Sequence, residues 1–515
     1  MTSKTTRKTS GRKTSARNNV PRSKPNSSFN APFKFSSKQL AIVLALILVI
    51  GGIIVWRVLA ATSQTEVETW PASGGNTKTV ADNSASGGSY LEFLAPTAST
   101  TVTPASGFVH PGVLVSQSQL DFVKAKIASG QEPWTSAFNK MKSNSLASRT
   151  YTPSPVPKLM CSTSVGLGEG FPQAGCTEMN RDGAATYTQA LMYAYTGDIT
   201  YANNAAKIIN AWTSTLKEIP YDQPRTSTGA QAYWQNLLVV GWSTETMTRG
   251  AEIIRYTSSA MTPAQITQSE TWLKGFIYPF LNSYTAGGNG NGGMTWTEAI
   301  MNIGVYTNDR AIYDKAVAWY KVKMPQLIYL TSDGARPPLP TDANTGKPWS
   351  WGTGKVDELW RYPTQWVNGL ETETCRDMGH TFMGLGPMSN IAETAYIQGT
   401  NNFYADYKDR MVAAYELNAG YTNQMLDEMA RSGLATDKPG FDAISANGWM
   451  PTNFPCSDFI SGGGSSLLGT EIAYNHFAKR LGLSMPNTKK LAERTRPQAG
   501  GNHLFFESLT HYQAP

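Results

Sequence analysis

Three stretches of this chain repeat one plan, and that plan limits the fold more than any single motif. In and just after "ALMYAYTGDITYANNAAKIINAW", apolar residues fall at Tyr201, Ala205, Ile208, Ile209, Trp212 and Leu216. This is helical spacing, preceded by a helix that stops at Gly197 and restarts on the capping residue Asp198. "IMNIGVYTNDRAIYDKAVAWY" repeats the hairpin with Asn308 and Asp309 at its turn, and "IAETAYIQGTNNFYADYKDRMVAAYE" repeats it with Gly399. Each has a tyrosine before the turn and another after it: Tyr195 and Tyr201, Tyr306 and Tyr313, Tyr396 and Tyr404. We read these pairs as hairpin packing. With few alternating β runs, the spacing predicts an all-α chain: a ring or arc of helical hairpins, an (α/α) toroid or incomplete α/α barrel.

A chain of 515 residues with 40% apolar content can bury a large core. Its charge is unevenly placed. The first 38 residues carry ten Lys and Arg and no acid, more than the net +7 of the whole, so the remainder is slightly acidic. The basic balance therefore describes a tail (1–38) and gives no reason to expect nucleic-acid binding by the rest. Directly after it, Gln39 to Trp56 reads "QLAIVLALILVIGGIIVW", uncharged and about the ~18 to 20 residues that a bilayer-spanning helix needs. Residues 39–61 are expected to form a transmembrane signal anchor, with the tail cytoplasmic, Trp56 at the far interface and the rest exported as a single-pass membrane protein. Cleavage near "VLAA" (Val58 to Ala61), giving a secreted protein, is the alternative.

Residues 62–106, rich in Ser, Thr, Gly and Ala, read as a flexible linker, and 107–515 as one domain. That domain holds all four cysteines, Cys161, Cys176, Cys375 and Cys456, an even number suited to disulfides in an oxidising compartment. Three pairings are possible. Cys161 with Cys176 and Cys375 with Cys456 is preferred, the first because its short loop contributes about 3 kcal/mol in the chain-entropy model. No CxxC or HExxH occurs and the histidines are dispersed, so neither metal nor other cofactor is expected.

Polar residues concentrate at three places. "ETETCRDMGHT" (371–381) carries Arg376 and His380, which share a face if the stretch is helical and would set a fixed cation beside an imidazole. "GGNGNGG" (287–293) offers the amides of Asn289 and Asn291 ahead of the hairpin containing Glu298. "EIAYNHFAKRLG" brings Tyr474, Asn475 and His476 into a short helix ending near Arg480. Trp234, Trp242, Trp296, Trp349, Trp351, Trp360 and Trp366 are numerous enough to suggest that some form sugar-stacking surfaces.

These elements together resemble the alginate lyase family of polysaccharide lyases, which have an (α/α) toroid fold. The matching segments are "HPGVLVS", "RDGAATYTQALMYAYTGD", "INAWTSTL", "RGAEIIRYT", "GNGN", "ETCRDMGHT" and "EIAYNHFAKRLG", in order through nearly the whole domain. The resemblance implies eliminative cleavage of a uronate polysaccharide such as alginate or a glucuronan, with Asn291, Arg376 and His380 matching residues that bind and neutralise the uronate carboxylate. The sequence departs from the family where a catalytic tyrosine follows the arginine: Phe382 and Met383 stand there. Tyr474 is the first choice of base, with His380, His476 or Tyr362 in its place. Asn289, Trp242, Arg249, Trp296, Tyr362 and His476 are the expected substrate-binding residues.

Elimination removes the C5 proton next to the carboxylate and expels the glycosidic oxygen from C4, so negative charge grows on the carboxylate. Donors and a cation aimed there lower the barrier, and a tyrosine or histidine moves the proton. Two alternatives are a toroidal glycoside hydrolase using paired carboxylates among Asp182, Glu245, Glu371 and Glu373, and an inactive membrane-tethered carbohydrate-binding protein. The expected partners are an acidic polysaccharide and the membrane, with no nucleic acid, for a monomeric enzyme.

Overall fold

Gly197 and Asp198 end one helix and begin the next as the hairpin plan requires: Gly197 is left-handed at φ 74°, and the Asp198 side chain accepts the Thr200 amide. The structure is a computed structural model that describes residues 77–81, 89–93, 107–161, 173–220, 234–283, 290–341, 346, 355–434, 444, 448–457, 469–497 and 506–515. The basic tail, the apolar run 39–61, Asn289, Trp349 and Trp351 lie outside the described residues. None of the described helices is long and apolar enough to cross a membrane.

The chain divides into Met1–Thr103 and Pro104–Pro515. In the first unit the stretch expected to be linker contains an antiparallel hairpin: β1 (Thr77–Ala81) pairs with β2 (Ser89–Phe93), Thr77 opposite Phe93 and Ala81 opposite Ser89. "TKTVA" and "SYLEF" are short β-favouring runs around a connection of Asp, Asn, Ser and Gly, a pattern that the overall Ser/Thr richness obscures.

The second unit is helical among its described residues. Its elements include α1 (Gln117–Ala128), α2 (Cys176–Thr196), α3 (Ile199–Thr215), α4 (Trp234–Thr257), α5 (Gly290–Tyr306), α6 (Arg310–Leu327), α7 (Met378–Gln398), α8 (Lys408–Arg431), α9 (Thr470–Tyr474), α10 (Pro486–Thr495) and α11 (Glu507–Thr510). α2, α4, α5 and α7 pack side by side as an inner row, and α3, α6 and α8 back them from outside. The row closes on itself, since α7 meets α9, α9 meets α11, α11 meets α1, and α1 meets α2. The three hairpins anticipated from sequence are α2–α3, α5–α6 and α7–α8, the last with a short helix, Phe403–Asp406, after Gly399.

Glycine sets how closely the inner helices approach. A Cβ on Gly250 of α4 would stand 2.6 Å from the Thr186 carbonyl oxygen of α2, and one on Gly183 would stand 2.9 Å from the Ser243 carbonyl oxygen. The order of these contacts, 183 with 243 and 186 with 250, makes α2 and α4 parallel. A strap at residues 109–114 gives the same direction for the others. His110 bonds Glu252 on α4 and Asn308 just beyond α5, Leu114 N–H donates to Thr394 on α7, and Val109 N–H donates to Gln398 at its end. The inner helices therefore finish together at the strap and start together at the opposite end.

The inner row also explains why its sequence reads poorly as amphipathic. It is buried on all sides and carries polar side chains that satisfy one another. Arg249 on α4, with its side chain 1% exposed, pairs with Glu298 on α5 and lies 3.9 Å from Glu245, while Asn390 on α7 donates to Glu298 at 2.9 Å. Burial raises Glu298 to about 7, against the pull of Arg249 in the other direction. Arg249, expected to bind substrate, is thus an internal strut, because the carboxylates beside it compensate its charge within the core.

Candidate active site

The stretch 371–381 is a tight turn that opens into a helix, not a helix throughout. Glu371 forms an isolated antiparallel bridge with Ile328, residues 372–376 form turns, and α7 starts at Met378 after the extended cap residue Asp377 (φ −170°, ψ 159°). Arg376 and His380 consequently do not share a helix face. They meet instead through Asp377, whose Oδ2 lies 2.6 Å from His380 Nδ1 and 3.8 Å from Arg376 Nε. The Asp377 Oδ1 accepts the His380 backbone N–H at 2.8 Å, the usual work of an aspartate cap.

Behind this turn lies a buried acid. Glu373 is fully buried and stands 3.3 Å from Arg376 and 3.8 Å from Arg361. Its backbone N–H donates to Glu371 at 2.7 Å, and burial together with the Glu373 charge pushes the Glu371 carboxyl well above its ordinary range. The Cys375–Cys456 disulfide ties the turn to the segment carrying Pro455, whose carbonyl accepts the Thr364 N–H at 2.7 Å. Cys161–Cys176 is the other bridge, so both preferred pairings are present. Arg361 and Tyr362 have φ of 60° and 54°, a left-handed conformation uncommon for side chains of this size. Tyr362 is 61% exposed beside the Arg361–Glu373 contact.

The Arg376 and His380 side chains are 30% and 24% exposed, so cation and imidazole both reach solvent. Both lie at the end where the inner helices start. Asn291, 6% exposed, occupies the first turn of α5 at the same end. The N-terminal, partly positive ends of the parallel inner helices lie at the same end as Arg376.

Other expected site residues lie elsewhere. Tyr474 is buried, with Lys479 and Arg496 over its ring at 5.5 and 6.0 Å, in the packing of α9 against α10. His476 stacks on Tyr404 at 3.6 Å between ring centroids, and burial lowers it to about 4, which keeps it neutral. The periodicity that put these two in a short polar helix could not distinguish its inward side from a solvent-facing one. Trp296 and Trp360 are buried in the core; Trp242 and Trp366 are only partly buried. Sequence reasoning passed over Arg361, weighed Glu373 as a hydrolase carboxylate, and gave Asp377 no role beyond a possible ion pair with Arg376. Asp377, three residues ahead of His380 where an apolar helix begins, carried a cap signal that could have been read.

The four carboxylates that a hydrolase would use are all buried. Asp182 is consumed by the Tyr151 hydroxyl, the Ser154 amide and the Trp212 indole at 2.7, 2.8 and 2.8 Å.

A family model described as alginate lyase matches residues 170–338, from just before α2 through α6. The matched segment, about a third of the chain, is similar to alginate lyase sequence. Asn291 falls inside the segment and the 371–381 turn beyond it. Among solved structures, the chain is similar to alginate lyase A1-III from Sphingomonas species A1, at 15% identity over 79% of this chain and 97% of that one, TM-score 0.49. The same enzyme complexed with a tetrasaccharide also has 15% identity, over 79% and 98%, TM-score 0.49. An alginate lyase from Bacteroides ovatus has 16% identity over 78% and 99%, TM-score 0.43. No curated protein matches in sequence.

Proposed function

We propose that this protein is a polysaccharide lyase that cleaves a uronate-containing polysaccharide, alginate or a glucuronan-like polymer, by β-elimination at the Arg376–Asp377–His380 turn. The observation that carries the reading is the pairing of a solvent-reaching guanidinium with a solvent-reaching imidazole on one carboxylate, at the end where the parallel inner helices begin. Arg376 and the Asn291 amide stabilise the charge that grows on the substrate carboxylate. His380 takes the C5 proton. The C5–H electron pair becomes the C4=C5 double bond as the C4–O bond breaks, and the departing oxygen recovers a proton from the imidazole, which ends the turnover neutral. Tyr362, exposed beside this turn, is the aromatic residue best situated to contact a sugar.

The same reading keeps residues 39–61 as a membrane anchor with the lyase domain outside the cytoplasm, or as a signal cleaved near Ala61. Two disulfides among the described residues support an oxidising compartment. Full occupancy of Asp182 and burial of Glu245, Glu371 and Glu373 weigh against the hydrolase reading. The test is a panel of purified polyuronates followed by ultraviolet absorbance: a conjugated unsaturated uronate is expected from at least one of them. Reducing ends without that absorbance mean hydrolysis, and neither signal means a binding protein.

A further inference from the structure

We propose that Asp377 is a positioning residue that holds His380 in the tautomer needed for proton abstraction; the inference rests on the elimination proposed for this site. Asp377 holds the histidine at two points. One oxygen accepts the backbone N–H of residue 380 at 2.8 Å and the other lies 2.6 Å from Nδ1 of the ring. A carboxylate offers only acceptors, so Nδ1 must carry the hydrogen of this bond. The lone pair is thereby assigned to Nε2, which bonds none of the described residues on a ring 24% exposed. Because Asp377 also caps α7, the ring orientation is fixed to the first turn of a helix that is buried over most of its length.

The arrangement also separates two roles within the turn. Arg376 Nε stands 3.8 Å from the same Asp377 oxygen, so the carboxylate sets the spacing between the cation that binds the uronate and the atom that takes its proton. When the imidazole has gained the C5 proton, Asp377 faces an imidazolium and stabilises it. When the proton passes to the glycosidic oxygen, the Nδ1–H tautomer is restored without rotation of the ring.

The test combines a tautomer measurement with kinetics. The protein is labelled with nitrogen-15 histidine, and the His380 signals, among those of five histidines, are assigned by their loss in His380→Ala. Wild type is expected to show the Nδ1–H form. Asp377→Asn places an amide where the acceptor was, and Asp377→Ser retains a capping oxygen but cannot reach the ring; both residues are good helix caps. Each variant should move His380 toward the Nε2–H form and lower kcat by about 100-fold or more, with KM changed by less than about threefold and melting temperature held within a few degrees. An Nε2–H form in wild type overturns the proposal. So does turnover within about threefold of wild type in both variants while His380→Ala is inactive, a result that leaves the elimination site standing. Normal turnover in His380→Ala itself overturns the site assignment and this inference with it.

Discussion

The Arg376 guanidinium lies 3.3 Å from the fully buried carboxylate of Glu373, which stands 3.8 Å from Arg361 as well. One internal acid thus faces two cations. Glu373→Gln retains the shape and removes the charge, and should lower kcat/KM by roughly 1.5 kcal/mol of transition-state stabilisation, the scale of one charged hydrogen bond. Steady-state kinetics on a cleaved polyuronate measure it.

Arg376→Lys preserves the charge but loses the planar fork that grips a carboxylate through two hydrogen bonds. Loss of one anion-site donor costs about 2 to 4 kcal/mol, and kcat should fall along with affinity. His380→Ala should reduce turnover by a comparable order. Both residues are partly exposed, so melting temperatures should change little. Near-normal turnover with a lowered melting temperature would make the turn structural.

Arg249 makes the opposite forecast. Its removal leaves Glu298 and Glu245 without their cation in the core, a change that costs about 3 to 5 kcal/mol for a buried pair. Arg249→Met should therefore lower stability in chemical denaturation while the folded fraction keeps its KM. Arg249→Met combined with Glu298→Leu should recover much of the loss, since an apolar pair of similar volume avoids the desolvation cost. A raised KM in a stable Arg249→Met protein would return Arg249 to the binding site.

The hairpin plan was legible because Gly197, Asp198, Asn308, Asp309 and Gly399 mark turns by local backbone chemistry. The inner row was less so. Its residues are buried on every side, and Glu298, Arg249 and Asn390 look like surface polarity until three helices meet. Arg376 and His380 were noticed for their chemistry, yet the expected helical face was replaced by a capped turn, because Asp377 satisfies the first amides of α7 better than continued helix would. Tyr474 and His476 show the converse limit. Their chemistry suited catalysis, but the ring turns them toward Lys479, Arg496 and Tyr404.

The strap at the other end of the ring predicts a pH dependence. Burial pulls His110 downward, but the hydrogen bond and charge of Glu252 outweigh it and raise it above 6.5, with Asn308 adding to the rise and Arg255 opposing it. A histidine raised on folding contributes stability that is complete below its unfolded value near 6.5 and lost as pH climbs through the folded value. The melting-temperature advantage of wild type over His110→Gln should hence be largest below about pH 6.5 and shrink above it. An advantage that grows with pH would contradict the Glu252 pairing.

The two disulfides should differ in effect. Their separations of 15 and 81 residues correspond to about 3 and about 4.5 kcal/mol in the chain-entropy model. Replacing Cys375 and Cys456 by serine should therefore destabilise more, and it should also lower kcat because it frees the turn carrying Arg376. The Cys161 and Cys176 replacement should affect melting temperature chiefly.

The central claim, elimination directed by Arg376 and His380, is tested most directly by the mass of the oligosaccharides released from a pure polyuronate. Elimination leaves each new non-reducing end unsaturated and lighter by one water than the corresponding hydrolysis fragment. The account predicts that every wild-type fragment except the one keeping the polymer's original, saturated non-reducing end belongs to the lighter series. Fragments with a new non-reducing end that carry the added water would contradict it.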